Sequence, residues 1–257
     1  MAAYQSIIAY DGTDFAGFQR VADGRRSVQA VLEEALRSVG WSEASLAAAG
    51  RTDRGVHARG QVIGYALDWR HGAETLTRAL NAHLPRDLSV CSTELAARGW
   101  HPRFSAKRRR YAYRAFVAPV RDPLLERYAW RWTQSPDHQV LRQAADVFLG
   151  RHDFGAFGHA PIQGGHTVRT VFRSEWDFGD RAEFTIEAEA FLYRMVRRLV
   201  GAMLAAATGD CGLNDLQAHL ADPSKRWERK PAPACGLCLE AVIYEDSDTS
   251  ASAGASA

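Results

Sequence analysis

The chain has few cysteines, few lysines and no long apolar run. Four cysteines in 257 residues are too few for a disulfide-stabilised fold. The longest apolar stretch, residues 199–207, has nine residues, whereas a membrane-spanning helix needs about 20. The first residues, MAAYQSIIAYDGT, do not place a basic segment before a long apolar one, which argues against a secretory signal peptide. We therefore expect a cytoplasmic protein that does not cross a membrane.

The basic residues are almost all arginine: 29 of the 32 are Arg and three are Lys. The net charge of +2 hides an uneven distribution, because residues 98–114 carry seven basic residues and no acidic one. Arginine contacts phosphate with two parallel hydrogen bonds and stacks on bases. This segment, which also contains aromatic residues, therefore indicates a nucleic-acid partner; the alternative is a solvated arginine-rich face without a partner.

Hydrophobic periodicity predicts a similar order of elements in two parts of the chain. We expect an α+β fold with one sheet spanning two similarly built strand–helix halves, residues 1–105 and 106–246, and a disordered tail at 247–257. The predicted helices are 27–39, 73–84, 138–149 and 191–207. The predicted strands are 4–10, 46–49, 60–67, 88–94, 111–117, 167–178 and 182–188.

The loop AGRTDRGVHARGQV, residues 49–62, holds the densest group of chemically active side chains. Its one carboxylate, Asp53, lies among cationic and hydrogen-bonding residues, which stabilise an ionised nucleophile or base. The alternative is that Asp53 only caps a turn. The glycine spacing matches neither a P-loop nor a dinucleotide-binding loop, so we expect no nucleotide cofactor.

The segment FLYRMVRRLVGAMLAAA predicts a helix that is apolar almost all round. Arg197 lies in one stripe with Tyr193, Val200, Gly201 and Leu204, and a buried arginine needs an anionic partner. Asp53 is one candidate partner; the alternatives are a structural acid such as Glu187 or Glu189, or a guanidinium that extends to solvent. Gly201, one turn further on, allows another backbone segment to approach closely.

Tyr111 and Tyr113 lie on a predicted strand, where alternation points both side chains to the same face. An aromatic ring beside arginines is a platform on which an extruded base can stack. Burial of both rings in the core of a sheet is the alternative.

Other patterns do not predict a second chemistry. Cys235 and Cys238 have the spacing of half a zinc or redox site, but no second pair of ligands completes it. The histidines between residues 152 and 166 show no HxH or HExxH spacing, and no GxSxG nucleophile motif is present.

Six segments in order resemble the signature blocks of the TruA family of tRNA pseudouridine synthases. They are YDGTDFAGFQR, SVQAVLEEAL, AGRTDRGVHARGQV, HPRFSAKRRRYAYR, FLYRMVRRLVGAML and PACGLCLEAVIY, and they extend from residue 10 to residue 244. The resemblance implies a homodimer that converts uridine to pseudouridine at positions 38 to 40 of the tRNA anticodon stem–loop, without cofactor or metal. It also implies the pseudouridine synthase fold, a mixed, mainly antiparallel sheet with a central basic cleft.

The resemblance assigns roles to four residues. Asp53 matches the nucleophilic aspartate, Arg197 the arginine paired with it, Tyr111 the tyrosine that stacks on the substrate, and Arg51 the arginine that assists base flipping. One departure is Phe18, where many members have tryptophan. Further RNA contacts are expected from the basic residues around the two motifs, namely Arg20, Arg54, His57, Arg59, Arg108, Arg109 and Arg110.

Two other functions are compatible with the same residues. One is a non-catalytic RNA-binding module, which would use the arginines alone. The other is a metal-dependent nuclease, whose metal ligands would be Asp53, His57, His152 and Asp153.

Overall fold

A computed structural model describes residues 1–160 and 164–245 of the chain; the tail predicted to be disordered, residues 247–257, lies outside them. The strands are β1 (Ala2–Tyr10), β2 (Ala47–Ala48), β3 (His57–Leu67), β4 (Leu88–Leu95), β5 (Arg108–Val117), β6 (Trp130–Trp132), β7 (Gly150–Asp153), β8 (Val168–Phe178), β9 (Ala182–Ala188) and β10 (Leu237–Ile243). The helices are α1 (Val28–Ser38), α2 (Ala73–His83), α3 (His138–Asp146), α4 (Met195–Ala207) and α5 (Leu213–Ala221).

The ten strands of the described residues belong to one sheet. Its main order is β4-β1-β3-β10-β5-β9-β8-β7, with β2 beside β3 and β6 beside β5. The pairings β3–β10 and β5–β6 are parallel and the others are antiparallel. The predicted α+β class with a mixed, mainly antiparallel sheet is therefore confirmed.

The two parts of the sheet repeat one arrangement. In the first part, the first strand β1 lies between the last strand, β4, and β3, which precedes α2. In the second part, the first strand β5 lies between the last strand, β10, and β9, which precedes α4. Strand β10 also pairs with β3 and so joins the two parts. The boundary between residues 105 and 106 stays a prediction.

Local sequence explains why the helices form where they do. Ser27 caps α1 by accepting a hydrogen bond from the Ala30 amide, and the buried residues Leu32 and Leu36 fall on one helix face. Alternation along β1 buries Tyr4, Ser6, Ile8 and Tyr10, while Gln5, Ile7 and Ala9 between them are less buried.

Helix α4 begins four residues later than its apolar pattern predicts. The amide of Tyr193 donates to the His159 carbonyl at 3.1 Å, and Arg194 has a φ of 59°, so the chain turns before Met195 starts the helix. No helix within the described ranges combines the length and apolar character that a membrane crossing requires.

Candidate active site

Asp53 lies in the loop between β2 and β3. The loop turns sharply after it: the Val56 amide donates to the Asp53 carbonyl at 3.2 Å, and Gly55 has a φ of 77°, which favours glycine. The preceding residue, Thr52, is anchored to β1, because its hydroxyl hydrogen-bonds to that of Tyr10 at 2.8 Å. The backbone that carries Asp53 is therefore held against the core.

Arg197 reaches Asp53 from the first turns of α4. Its Nη1 donates to Oδ2 of Asp53 at 3.0 Å, and the two side chains are only 15% and 16% exposed. Its Nε donates to the carbonyl of Ala232 at 2.7 Å, and the Ala232 amide returns a bond to the Arg197 carbonyl at 2.9 Å. The structure thus brings together two residues that are 144 positions apart in the chain.

Gly201 lets the chain segment before β10 lie close to α4. A Cβ atom at this position would come within 3.1 Å of the Lys230 carbonyl oxygen, so no larger residue fits without movement. The close backbone approach predicted from the sequence is therefore found. This close approach places the Ala232 carbonyl where it accepts the hydrogen bond from Nε of Arg197.

The alternative partners of Arg197 are used elsewhere. Glu187 on β9 pairs with Arg108 at 3.4 Å and with Arg110 at 2.8 Å. Glu189 accepts a hydrogen bond from the Thr170 amide at 2.9 Å. Asp53 is accordingly the carboxylate that meets Arg197.

Tyr111 projects from β5 into the same region and is 9% exposed. Its ring meets Phe191 edge to face, with centroids 5.1 Å apart. Burial raises the pKa of Tyr111, and the neighbouring Tyr10 and Asp53 raise it further, so its hydroxyl stays protonated at neutral pH. Tyr111 and Tyr113 both belong to the buried core, which was the alternative for the two rings; Tyr113 is fully buried, and its hydroxyl donates to the Pro233 carbonyl at 2.9 Å.

An ionic cluster beside the Asp53 loop was not expected from the sequence. Asp11, directly after β1, accepts hydrogen bonds from Arg127 at 2.7 Å and from Tyr128 at 3.0 Å, and lies 3.2 Å from Nδ1 of His57. Burial raises the pKa of Asp11, but hydrogen bonds from Thr13, Arg127 and Tyr128 outweigh burial and hold it at about 2. The sequence does not indicate this cluster, because Arg127 is 116 positions away from Asp11.

Two of the predicted RNA-contact residues are buried. His57 accepts a hydrogen bond from the Gly12 amide at 3.0 Å, and burial lowers the pKa of its imidazole. Arg109 donates to four carbonyls: those of Arg103, Ala106, Ala49 and Glu189. Both side chains hold backbone segments together in this structure.

The other predicted RNA-contact residues reach solvent to different extents. Arg51, Arg54 and Arg59 are exposed on the Asp53 loop and the start of β3. Arg20 is partly engaged, since it pairs with the buried Glu33 at 3.1 Å. Arg108 and Arg110 share Glu187, as described above. The exposed loop arginines are thus the ones best placed to meet a large anionic partner.

The remaining cysteine and histidine patterns do not form a site. Cys235 and Cys238 are free thiols, and burial with the neighbouring Glu240 raises the pKa of Cys238 to about 12. Asp153 accepts hydrogen bonds from Gly155 and Thr167. Across residues 1–160 and 164–245, no three His, Cys, Asp or Glu side chains are grouped to hold a metal ion.

Comparisons with known proteins agree with the motif order. The family model described as tRNA pseudouridine synthase matches residues 7–105 and 144–245. The protein "tRNA pseudouridine synthase A" of Caulobacter vibrioides is 38% identical over 248 residues, covering 96% of this chain and 100% of its own. The protein of the same name from Geobacillus kaustophilus is 39% identical over 242 residues, covering 93% of each chain.

Likeness to solved structures is much weaker. The chain described as "Crystal Structure of a Cbf5-Nop10-Gar1 Complex" is 13% identical, with 78% of this chain and 44% of that chain covered, and a TM-score of 0.33. A score this low carries no argument. The family assignment depends instead on the full-length relatives and the matched family model, from which it follows that this chain belongs to the tRNA pseudouridine synthases, a family of isomerases.

Proposed function

We propose that this protein converts uridine to pseudouridine at positions 38 to 40 of the tRNA anticodon stem–loop, with Asp53 as nucleophile and without a cofactor. The observation that carries the proposal is the buried ion pair between Asp53 and Arg197. It supports a catalytic role because it holds a largely buried carboxylate in a fixed orientation close to the ring of Tyr111. Family membership supports the choice of reaction.

The reaction needs little from the protein beyond a carboxylate and a closed site. The bond between uracil N1 and ribose C1′ breaks, the uracil turns, a bond forms between C5 and C1′, and C5 then loses its proton while N1 gains one. A carboxylate assists by attacking uracil C6 or ribose C1′, or by removing a ribose proton. All three routes require the ionised Asp53 beside the reacting nucleotide.

The surrounding residues have complementary roles in this proposal. Arg197 holds the Asp53 carboxylate in place, because both its Nε and its Nη1 are committed. Tyr111 offers its ring to the extruded uracil, and the exposed Arg51 enters the space that the base leaves. Extruding a paired base costs a few kcal/mol, which such stacking and insertion offset.

The proposal includes the setting in which the enzyme works. The family resemblance supports a homodimer that acts in the cytoplasm. Sedimentation of the purified protein tests the dimer: a single species of about twice the chain mass of 28.4 kDa is expected, and a monomer at micromolar concentration would contradict it.

Tritium release tests the reaction and its location together. Transcripts of one tRNA, labelled with [5-³H]uridine, would carry uridine at positions 38, 39 and 40 or cytidine at all three. The wild-type enzyme is expected to release tritium from the first transcript and none from the second. Equal tritium release from the two transcripts would refute positions 38 to 40 as the sites of reaction. If neither transcript releases tritium although tRNA is bound, a non-catalytic RNA-binding protein is favoured.

Strand integrity in the same reactions separates isomerisation from nuclease activity. The product RNA is expected to migrate at full length on a denaturing gel, with or without EDTA. Cleaved RNA that disappears on addition of EDTA would favour the metal-dependent nuclease.

A further inference from the structure

A basic cavity lies beside the first turn of α4. Its volume is about 380 Å³. Among its lining residues Glu228 is the one acidic side chain that the structure describes, and the cationic ones are Arg194, Arg198, Arg226, Arg229 and Lys230. Of these, Arg229 is already paired with Asp210 at 3.3 Å. The remaining cations give the cavity a strong positive potential.

Arg198 is the most informative residue of this cavity. Its Nε atom is buried and has no hydrogen-bond partner among residues 1–160 and 164–245. Burial lowers the pKa of Arg198, and the positive charges of Arg194 and Arg226 lower it further. A buried donor without an acceptor, beside the like charges of Arg194 and Arg226, is unfavourable in the free protein and favours an anion at this position.

The walls of the cavity are held by backbone contacts. The Trp227 amide donates to the Ala156 carbonyl at 3.0 Å, and the Ala232 amide donates to the Arg197 carbonyl at 2.9 Å. These bonds fix both ends of segment 227–232, which contributes Lys230 and directly follows Arg226. Within the described ranges, Arg194 is the one non-glycine residue with a positive φ, at 59°, a backbone conformation typical of functional sites.

We propose that this cavity binds a phosphodiester of the RNA backbone close to the nucleotide that reacts at Asp53. The proposal rests on the proposed function, because it requires RNA at Asp53. Pro231 lines the cavity and directly precedes Ala232, whose carbonyl binds Nε of Arg197, so the cavity adjoins the segment that holds the partner of Asp53 and a backbone that brings its base to Asp53 can reach it. Pockets of ~300–1,000 Å³ hold whole organic ligands, so the cavity has room for a phosphate together with its ribose.

The test compares tRNA binding by Arg198→Gln and Arg226→Gln with binding by Arg181→Gln. Arg181 is an exposed arginine in the turn between β8 and β9, directly before Ala182, and serves as the matched control. Dissociation constants for tRNA would be measured from low to moderate salt. We expect Arg198→Gln to weaken binding about tenfold or more at low salt, as for loss of a charged hydrogen bond. The slope of log Kd against log salt is expected to fall by about 0.7–0.9.

Two further readouts separate RNA binding from a structural role. In tritium release, the loss in kcat/KM should come mostly from KM, since a backbone contact acts before and during the reaction alike. The Tm of the RNA-free Arg198→Gln protein should be unchanged or higher, because the variant removes a partly buried charge that lies beside the like charges of Arg194 and Arg226. A lower Tm with unchanged tRNA affinity would overturn the proposal in favour of a structural arginine.

Inorganic phosphate distinguishes the backbone of RNA from a free anion. If millimolar phosphate raises the Tm of the wild type but not of Arg198→Gln, while both proteins bind tRNA equally, the site is one for small anions and the proposal fails. Unchanged affinity and slope in both Arg198→Gln and Arg226→Gln also refute it. Because binding is measured without turnover, these outcomes are separate from failure of the proposed function, in which the wild type releases no tritium.

Discussion

Replacement of Arg197 by methionine removes both interactions that fix the carboxylate of Asp53. The variant loses the 3.0 Å ion pair to Asp53 and the 2.7 Å hydrogen bond to the Ala232 carbonyl. Methionine retains most of the length of the side chain and packs well in an apolar helix. The change therefore isolates the loss of charge and of hydrogen bonding from a loss of volume.

The expected loss of stability follows from the burial of the pair. Asp53 is 16% exposed, so Arg197→Met leaves a largely buried carboxylate without a cation. Breaking a buried pair in this way costs about 3–5 kcal/mol, and the residual exposure of both side chains favours the lower end, about 3 kcal/mol. For a chain of this size that corresponds to a fall in Tm of about 6–12 °C.

Calorimetry of the single variants and of Asp53→Asn/Arg197→Met tests this reasoning. The double variant has no stranded charge, so it should recover about 2 kcal/mol of stability relative to Arg197→Met. Both Arg197→Met and the double variant should release no tritium from tRNA. A double variant no more stable than Arg197→Met would refute the electrostatic account of the pair.

Three further predictions concern the stacking ring, the joint of the sheet and the ionic cluster. Tyr111→Ala should lose about 10–100-fold more activity than Tyr111→Phe, which keeps the ring; equal tritium release by the two would exclude stacking. Gly60→Ala should lower Tm, because its Cβ would overlap the Glu240 carbonyl across the β3–β10 joint, whereas Gly50→Ala, with open space around it, should not; equal Tm values would contradict this packing. The pKa of Asp11 in the folded protein is about 2, below its usual 3.8. The contribution of its carboxylate to the free energy of unfolding is therefore present above pH ~4 and lost as the pH falls towards 2. Urea unfolding should then show Asp11→Asn less stable by about 1 kcal/mol at pH 5, after allowance for solvent screening, with the difference shrinking at lower pH; a constant difference would contradict it.

Elements with a strong local pattern could be predicted from the sequence. The helices α1, α2 and α3 lie within or close to the predicted ranges, and the order of strands indicated the α+β class. The place of β10 between β3 and β5 could not be predicted, because it depends on pairings with residues more than 100 positions away. The start of α4 was missed for the same reason, since the distant His159 carbonyl binds the Tyr193 amide.

The same distinction holds for the candidate site. A buried arginine requires an anion wherever it lies, so the sequence pointed to a partner for Arg197 and included Asp53 among the candidates. The charge of residues 108–110 was less informative, because Glu187 on β9 pairs with Arg108 and Arg110 only in the folded sheet. Net charge along a segment does not reveal which charges the fold neutralises.

The central claim is that the carboxylate of Asp53 carries out the chemistry. The most direct measurement is tritium release in a single turnover, with Asp53→Asn in excess over labelled tRNA, and with Asp14→Asn, an exposed aspartate of a neighbouring loop, as control. We expect Asp53→Asn to bind tRNA with wild-type affinity but to react at least about 10⁴-fold more slowly, while Asp14→Asn reacts at the wild-type rate. Pseudouridine formation by Asp53→Asn at a rate near that of the wild type would contradict it.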